Sequence, residues 1–155
     1  MQAVIPAAGL GTRFLSLMKE QPKETGEGSK EVSDHYRLSR AYLETASDSL
    51  AKGRLEPALF NGYHALELAC KAAILAEAGE APRTHHVGGT FGRLFRGRVR
   101  AEDVRRINEI LAKYNLPRYP GTPPWNPKAA ARDLAFIRHM IEEVVPKLLP
   151  SKGRG

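Results

Sequence analysis

The chain has 155 residues, 42% of them hydrophobic and 26% charged, with a formal net charge of +7. That is room for one domain with a core and a short appendage, not for a second full domain, and the balance excludes wholesale disorder. Charges or glycines interrupt every apolar run before it nears the roughly 20 residues of a membrane helix, and Met1–Phe14 has no basic region ahead of its apolar residues, so neither a spanning helix nor a signal peptide is expected.

Residues 1–24 read MQAVIPAAGLGTRFLSLMKEQPKE. The run Ala3–Pro6 followed by Gly9-Leu10-Gly11-Thr12-Arg13 resembles the opening of UTP-glucose-1-phosphate uridylyltransferases and related sugar nucleotidyltransferases. The resemblance implies a first strand and a nucleotide-phosphate loop. In such a loop Gly9, Gly11 and Thr12 lie against phosphate, while Arg13 and Lys23 offset negative charge during nucleotidyl transfer. It stops near Glu24, without the sheet, the sugar site and the metal-binding carboxylates of those enzymes. One strand without neighbours cannot satisfy its own backbone, so the segment is expected to be a vestigial phosphate loop on an appendage spanning residues 1–30. Gln21–Lys30, QPKETGEGSK, has linker composition.

Past the linker the apolar spacing is helical and no alternating strand is legible. A first helix is predicted from Ser33 or Asp34, either of which can accept from first-turn amides, to a stop at Gly53, with Tyr36, Leu43, Ala46 and Leu50 buried. A second runs from Pro57 to Ala78 before Gly79, burying Leu59, Leu66, Ala69, Ala73 and Ala76. The connection 81–97 is predicted to hold a short turn around Thr90–Phe95. A third helix, Ala101–Lys113, presents Val104, Ile107 and Leu111. The proline-rich stretch YNLPRYPGTPPWNP is predicted to be an extended loop. A fourth helix is capped by Asn126, opened by Pro127, and buries Ala130, Leu134, Ile137, Ile141, Val144 and Leu148. The expected fold is all-α, an up-and-down four-helix bundle over residues 31–150, with residues 151–155 a disordered tail.

The helical part is identified as similar to the HEPN family. The first helix and its exit, YRLSRAYLETASDSLAKGRLEPAL, match that family's opening pattern. Ala58, Phe60, Ala65, Glu67, Lys71 and Ala72 fall where it places alanine, aromatic, alanine, glutamate, lysine and alanine. PRTHHVGGTFGRLF, through Thr84 and His85, resembles its Thr-His connection, and Arg118-Tyr119-Pro120 resembles the Arg-Tyr-Pro segment of one subgroup. Many members are ribonucleases of toxin–antitoxin pairs with an arginine followed a few residues later by a histidine at the end of the third helix. Here that place reads Lys113-Tyr114-Asn115-Leu116-Pro117-Arg118, with no histidine. Arg132 and His139 have a compatible separation but fall within the fourth helix. The departure favours the subgroup thought to bind nucleotides or RNA, or to partner a separate nucleotidyltransferase, and a homodimer is implied.

The positive charge concentrates in Arg83, Arg93, Arg96, Arg98, Arg100, Arg105 and Arg106, opposed locally by Glu102 and Asp103. Guanidinium groups hold phosphates through paired donors, although such a stripe also serves as an ordinary solvated face. The expected binding residues for nucleotide or RNA are therefore His85, Arg93, Arg96, Arg98, Arg118 and Tyr119, with no catalytic residue, cofactor or metal assigned. A degenerate HEPN ribonuclease toxin and a sugar-1-phosphate nucleotidyltransferase fragment are the competing readings. Glu67 and Lys71 are expected to form a surface ion pair, His64 to be a packed or interface residue, and Trp125 to cover the bundle end. The single cysteine, Cys70, excludes an intrachain disulfide and a thiolate metal cluster, so it is expected to pack as an apolar residue in a protein of the reducing cytoplasm.

Overall fold

Ion pairs along its solvent side let the first helix begin well before its core-facing stripe. A computed structural model of the chain describes residues 26–83, 86–114 and 126–150, so the phosphate-loop residues Gly9, Gly11, Thr12, Arg13 and Lys23 lie outside the described residues. Helix α1 spans Gly26–Ala51, starting at Gly26 rather than at Ser33 or Asp34. Lys30 Nζ donates to Asp34 at 2.8 Å and Arg37 lies 3.5 Å from the same carboxylate. Such one-turn pairs support an exposed helix by a few tenths of a kcal/mol each. Packing begins only at Val32, and the expected stripe of Tyr36, Leu43 and Ala46 is buried behind it, with Leu50 partly buried.

Gly53, at φ +74°, reverses the chain. Gly53 N–H donates to Leu50 O and Arg54 N–H to Ser49 O, satisfying carbonyls that the helix end leaves without partners. Helix α2, Leu55–Ala78, then runs back along α1 and ends at Gly79, whose φ of 87° supplies the left-handed stop. It is the central element, packed against all the other helices. Its buried alanines, Ala58, Ala65, Ala69, Ala72 and Ala73, allow that close approach. Gly62 goes further: a Cβ there would sit 2.5 Å from Leu134 Cδ2, so the last helix packs on bare backbone.

The connection expected to hold only a turn instead contains helix α3, Val87–Leu94. Val87, Phe91 and Phe95 recur every fourth residue and all three are fully buried. The glycines that obscure this period in the sequence serve contact with helix α4, Ala101–Tyr114. A Cβ at Gly88 would meet Asn108 Oδ1 at 2.3 Å, and one at Gly92 would meet Val104 Cγ1 at 2.8 Å. The described residues therefore form five helices rather than four, with the four long ones making the bundle, and they include no strand beyond an isolated Arg96–Val99 bridge.

Helix α5, Pro127–His139, opens as predicted, with Asn126 Oδ1 accepting from Ala129 N–H at 2.8 Å. Removing that acceptor leaves a first-turn amide without its partner, so Asn126→Ala should lower the unfolding free energy by about 1 kcal/mol in a urea melt. The helix continues through a π turn, Met140–Val144, and a 3-10 turn, Val145–Leu148. Val145 N–H reaches Met140 O in the wider register. The next donor in that register would be residue 146, a proline with no N–H, which leaves Ile141 O open. Tyr36 fills the gap, its hydroxyl donating to Ile141 O at 2.6 Å and tying α1 to the last helix.

Burial raises the Tyr36 phenol above its ordinary range, with Arg40 opposing and Glu142 reinforcing, and burial beside Glu67 pushes Tyr63 up to about 12. Both groups therefore contribute stability that is complete below the unfolded tyrosine value of 10.0 and is lost as pH rises through the folded values. The melting temperature should fall from pH 10 to pH 12, and Tyr36→Phe should be less stable at pH 8 yet lose less over that interval, as followed by circular dichroism.

Candidate nucleic-acid interface

The arginine-rich end is built by α3 and the tight turn that follows it. Arg98 N–H and Val99 N–H both donate to Phe95 O, and Gly97, at φ +83°, makes the reversal without strain. Phe95 and Val99 are buried on either side, which forces Arg96 and Arg98 outward, and Arg93 is exposed on the last turn of α3. Arg93 also lines an open groove of about 480 Å³ with Pro82, His86, Gly89 and Thr90. Gly89 has nothing within 4 Å of its Cβ direction, so the groove floor there is bare backbone.

The stripe is not uniform. Arg98 Nη1 donates to Glu77 Oε1 at 3.1 Å and its guanidinium lies 5.1 Å from the Phe95 ring centroid, so it is partly committed to α2. Arg100 pairs with Glu102. Arg106 is turned away into the seam between α4 and α5, donating to Asp133 Oδ1 at 2.8 Å. Arg93, Arg96 and Arg105 are exposed and form no ion pair with any described residue. Of the predicted binding residues, Arg93, Arg96 and Arg98 are exposed at the end of α3 and in the turn after it, whereas His85, Arg118 and Tyr119 lie outside the described residues, as does Trp125.

A second polar constellation reaches the already noted Arg132 and His139 but centres on Asp133, which no sequence spacing marks out. Asp133, only 4% exposed, takes Arg106 at 2.8 Å and Lys113 at 2.9 Å, clamping α4 to α5. Further along the same seam His139 Nε2 lies 3.5 Å from Asp103 Oδ2 and its Nδ1 3.5 Å from Glu143 Oε1. Arg132, two turns before His139, is exposed on α5. The signal in the sequence is the one-turn and two-turn spacing of Asp103, Arg106 and Lys113 on one helix, set against Asp133 and His139 six residues apart on the other, which shows its meaning only when the helices are paired.

The expected surface pair of Glu67 and Lys71 is corrected by burial: the Glu67 side chain is 7% exposed, with Lys71 Nζ at 3.4 Å and His64 Nδ1 at 3.5 Å. Its Oε2 makes no hydrogen bond among the described residues. Position 67 falls on the side of α2 that also carries Leu66 and Cys70, so helical phase draws it inward. Cys70 is fully buried, and burial reinforced by Glu67 pushes its thiol well above the ordinary range, so it packs as an apolar residue. Among the described residues no three His, Cys, Asp or Glu side chains are arranged to hold a metal ion, and no helix is long and apolar enough to cross a membrane.

Among the described residues, five helices without a strand, packed about one central alanine-rich helix, define the class. The chain belongs to the HEPN domain family, whose model matches residues 32–148. No curated protein and no solved structure matches it. The resemblance of residues 1–24 to sugar nucleotidyltransferases finds no support in these comparisons.

Proposed function

We propose that this chain is a HEPN-type binding module that holds the phosphates of a nucleotide or single-stranded RNA at its arginine-rich end and does not cut RNA. The observation that carries the reading is Arg93 and Arg96, both exposed and without ion pairs among the described residues, with Arg93 lining an open groove. Guanidinium groups supply phosphate affinity but no proton transfer at neutral pH, because they do not titrate there. Strand cleavage through the 2′-hydroxyl needs a group that takes its proton. The arginine-histidine signature of HEPN ribonucleases is missing where α4 ends, since Lys113-Tyr114-Asn115 is followed by Leu116, Pro117 and Arg118. A module of this kind fits a two-component system, as a homodimer that partners a separate nucleotidyltransferase or a toxin–antitoxin type protein.

One observation favours a ribonuclease instead: His139 stands between Asp103 and Glu143 with Arg132 two turns before it. The two readings separate on a denaturing gel of end-labelled single-stranded RNA incubated with excess protein. The binding module leaves the RNA intact under conditions in which it shifts the same RNA on a native gel. Cleavage abolished by His139→Ala would establish the ribonuclease.

A further inference from the structure

Helix α3 carries three glycines in eight residues, and the fold accounts for two of them. A Cβ at Gly88 would run into Asn108 and one at Gly92 into Val104, both on α4, so packing demands glycine at those two places. Gly89 has no such reason. It is exposed, and no atom of a described residue lies within 4 Å of where its Cβ would point. Its φ is ordinary too, since the positive values among the described glycines belong to Gly53, Gly79 and Gly97. Glycine is the poorest helix former after proline, so Gly89 weakens a short helix with no return in packing or conformation. A bare backbone of this kind is explained where something outside the chain approaches it closely. Gly89 floors the open groove, and His86, Gly89, Thr90 and Arg93, at helical spacings of three, four and seven residues from the first, form one stripe of α3 along it.

We infer that this groove seats one phosphate and the ribose attached to it, the sugar-phosphate unit lying against the bare backbone of Gly89 with its phosphate oxygens held by Arg93. The inference rests on the phosphate-binding reading above and narrows it to one place and one part of the ligand. The lining contains no Asp or Glu to repel an anion. Arg93 is exposed and forms no ion pair with any described residue, so its paired donors reach a phosphate without giving up an internal partner. The Thr90 hydroxyl, in the same lining, both donates and accepts, which suits a ribose hydroxyl. No Phe, Tyr or Trp lines the groove, so it offers no ring on which a base would stack. Its volume of about 480 Å³ lies in the lower part of the range of small-ligand sites, which suits a single nucleotide unit. Recognition here is therefore of sugar and phosphate and is indifferent to the base.

Gly89→Ala and Gly89→Leu in the full chain test this, because stability and affinity should move in opposite directions. Each puts a good helix former into open space, and the melting temperature of Gly89→Ala should rise by about 1–4 °C. Gly89→Leu fills the groove and should raise the dissociation constant for a labelled single-stranded uridine oligonucleotide about tenfold or more at low salt, with Gly89→Ala between it and the parent. A cytidine oligonucleotide of the same length should bind the parent within about threefold of the uridine one. Uridine 5′-monophosphate as competitor distinguishes the sources of the phosphate: displacement of the labelled strand assigns the groove to a free nucleotide, and failure to displace it assigns the groove to a strand, the loss on Gly89→Leu supporting the inference in both cases. Glycine variants that bind like the parent while Arg93→Ala weakens binding would overturn the groove and leave the arginine reading standing. A parent that binds neither probe would overturn both. A lower melting temperature for Gly89→Ala would give this glycine a structural role and overturn the inference as well.

Discussion

Leu134→Asp should abolish cooperative folding. Leu134 is 5% exposed on α5 and its Cδ2 lies where a Cβ at Gly62 would clash, so it occupies the point of closest approach between α5 and the central helix. Truncating a buried leucine costs about 2–5 kcal/mol, and placing an unpaired carboxylate there adds a desolvation penalty of several more. The sum reaches the roughly 5–15 kcal/mol total stability of an ordinary domain. Arg106 and Lys113, the cations of the neighbouring seam, are already engaged by Asp133 and offer no rescue. The expected trace is a loss of helical circular dichroism with no thermal transition, whereas Leu134→Met, similar in volume, should melt within a few degrees of the parent. A Leu134→Asp protein that melts like the parent would remove α5 from the core.

The second large effect is on ligand affinity. Replacing Arg93, Arg96 and Arg98 together by alanine removes three exposed guanidiniums from one short stretch and gives up only the Arg98 contacts to Glu77 and the Phe95 ring, so the fold should be unchanged. Affinity for single-stranded RNA at low salt should fall by one to two orders of magnitude, roughly what loss of two to three phosphate contacts implies. Arg98 already donates to Glu77, so Arg98→Ala alone should matter less than Arg93→Ala or Arg96→Ala. Equal effects from all three single variants would mean that Arg98 leaves Glu77 on binding.

Much of the fold was legible because α2 and α5 bury nearly continuous apolar stripes between well-marked ends, Gly79 at one and Asn126-Pro127 at the other. What failed to announce itself did so for physical reasons. α1 gains its first turns from solvent-side ion pairs rather than from apolar spacing. α3 was hidden because Gly88 and Gly92, poor helix formers in isolation, are the residues that let it lie against Asn108 and Val104 of α4. The π turn before Pro146 needed Tyr36, more than a hundred residues away in sequence, to complete its hydrogen bonding. Of the site, the clustering of arginines and the opposing Glu102 were readable, but the distant partners were not: Glu77 and Asp133 divide the stripe into paired and free members only once helices are set side by side. The buried Asp133 clamp and the Glu67 carboxylate belong to the same class, since burial of a charge depends on a neighbour that spacing along one helix does not reveal.

The measurement closest to the central claim is a fluorescence-polarisation titration of the full chain against a labelled single-stranded RNA at several salt concentrations, repeated with the Arg93, Arg96 and Arg98 triple-alanine variant. Each phosphate contact on a single strand contributes a slope of about −0.7 to log affinity against log salt, so the wild type should weaken steeply and the variant should lose about 1.5 to 2 units of slope. Absence of binding at low salt, or a wild-type slope that the triple substitution leaves unchanged, would contradict the assignment of this end of the bundle to phosphate recognition.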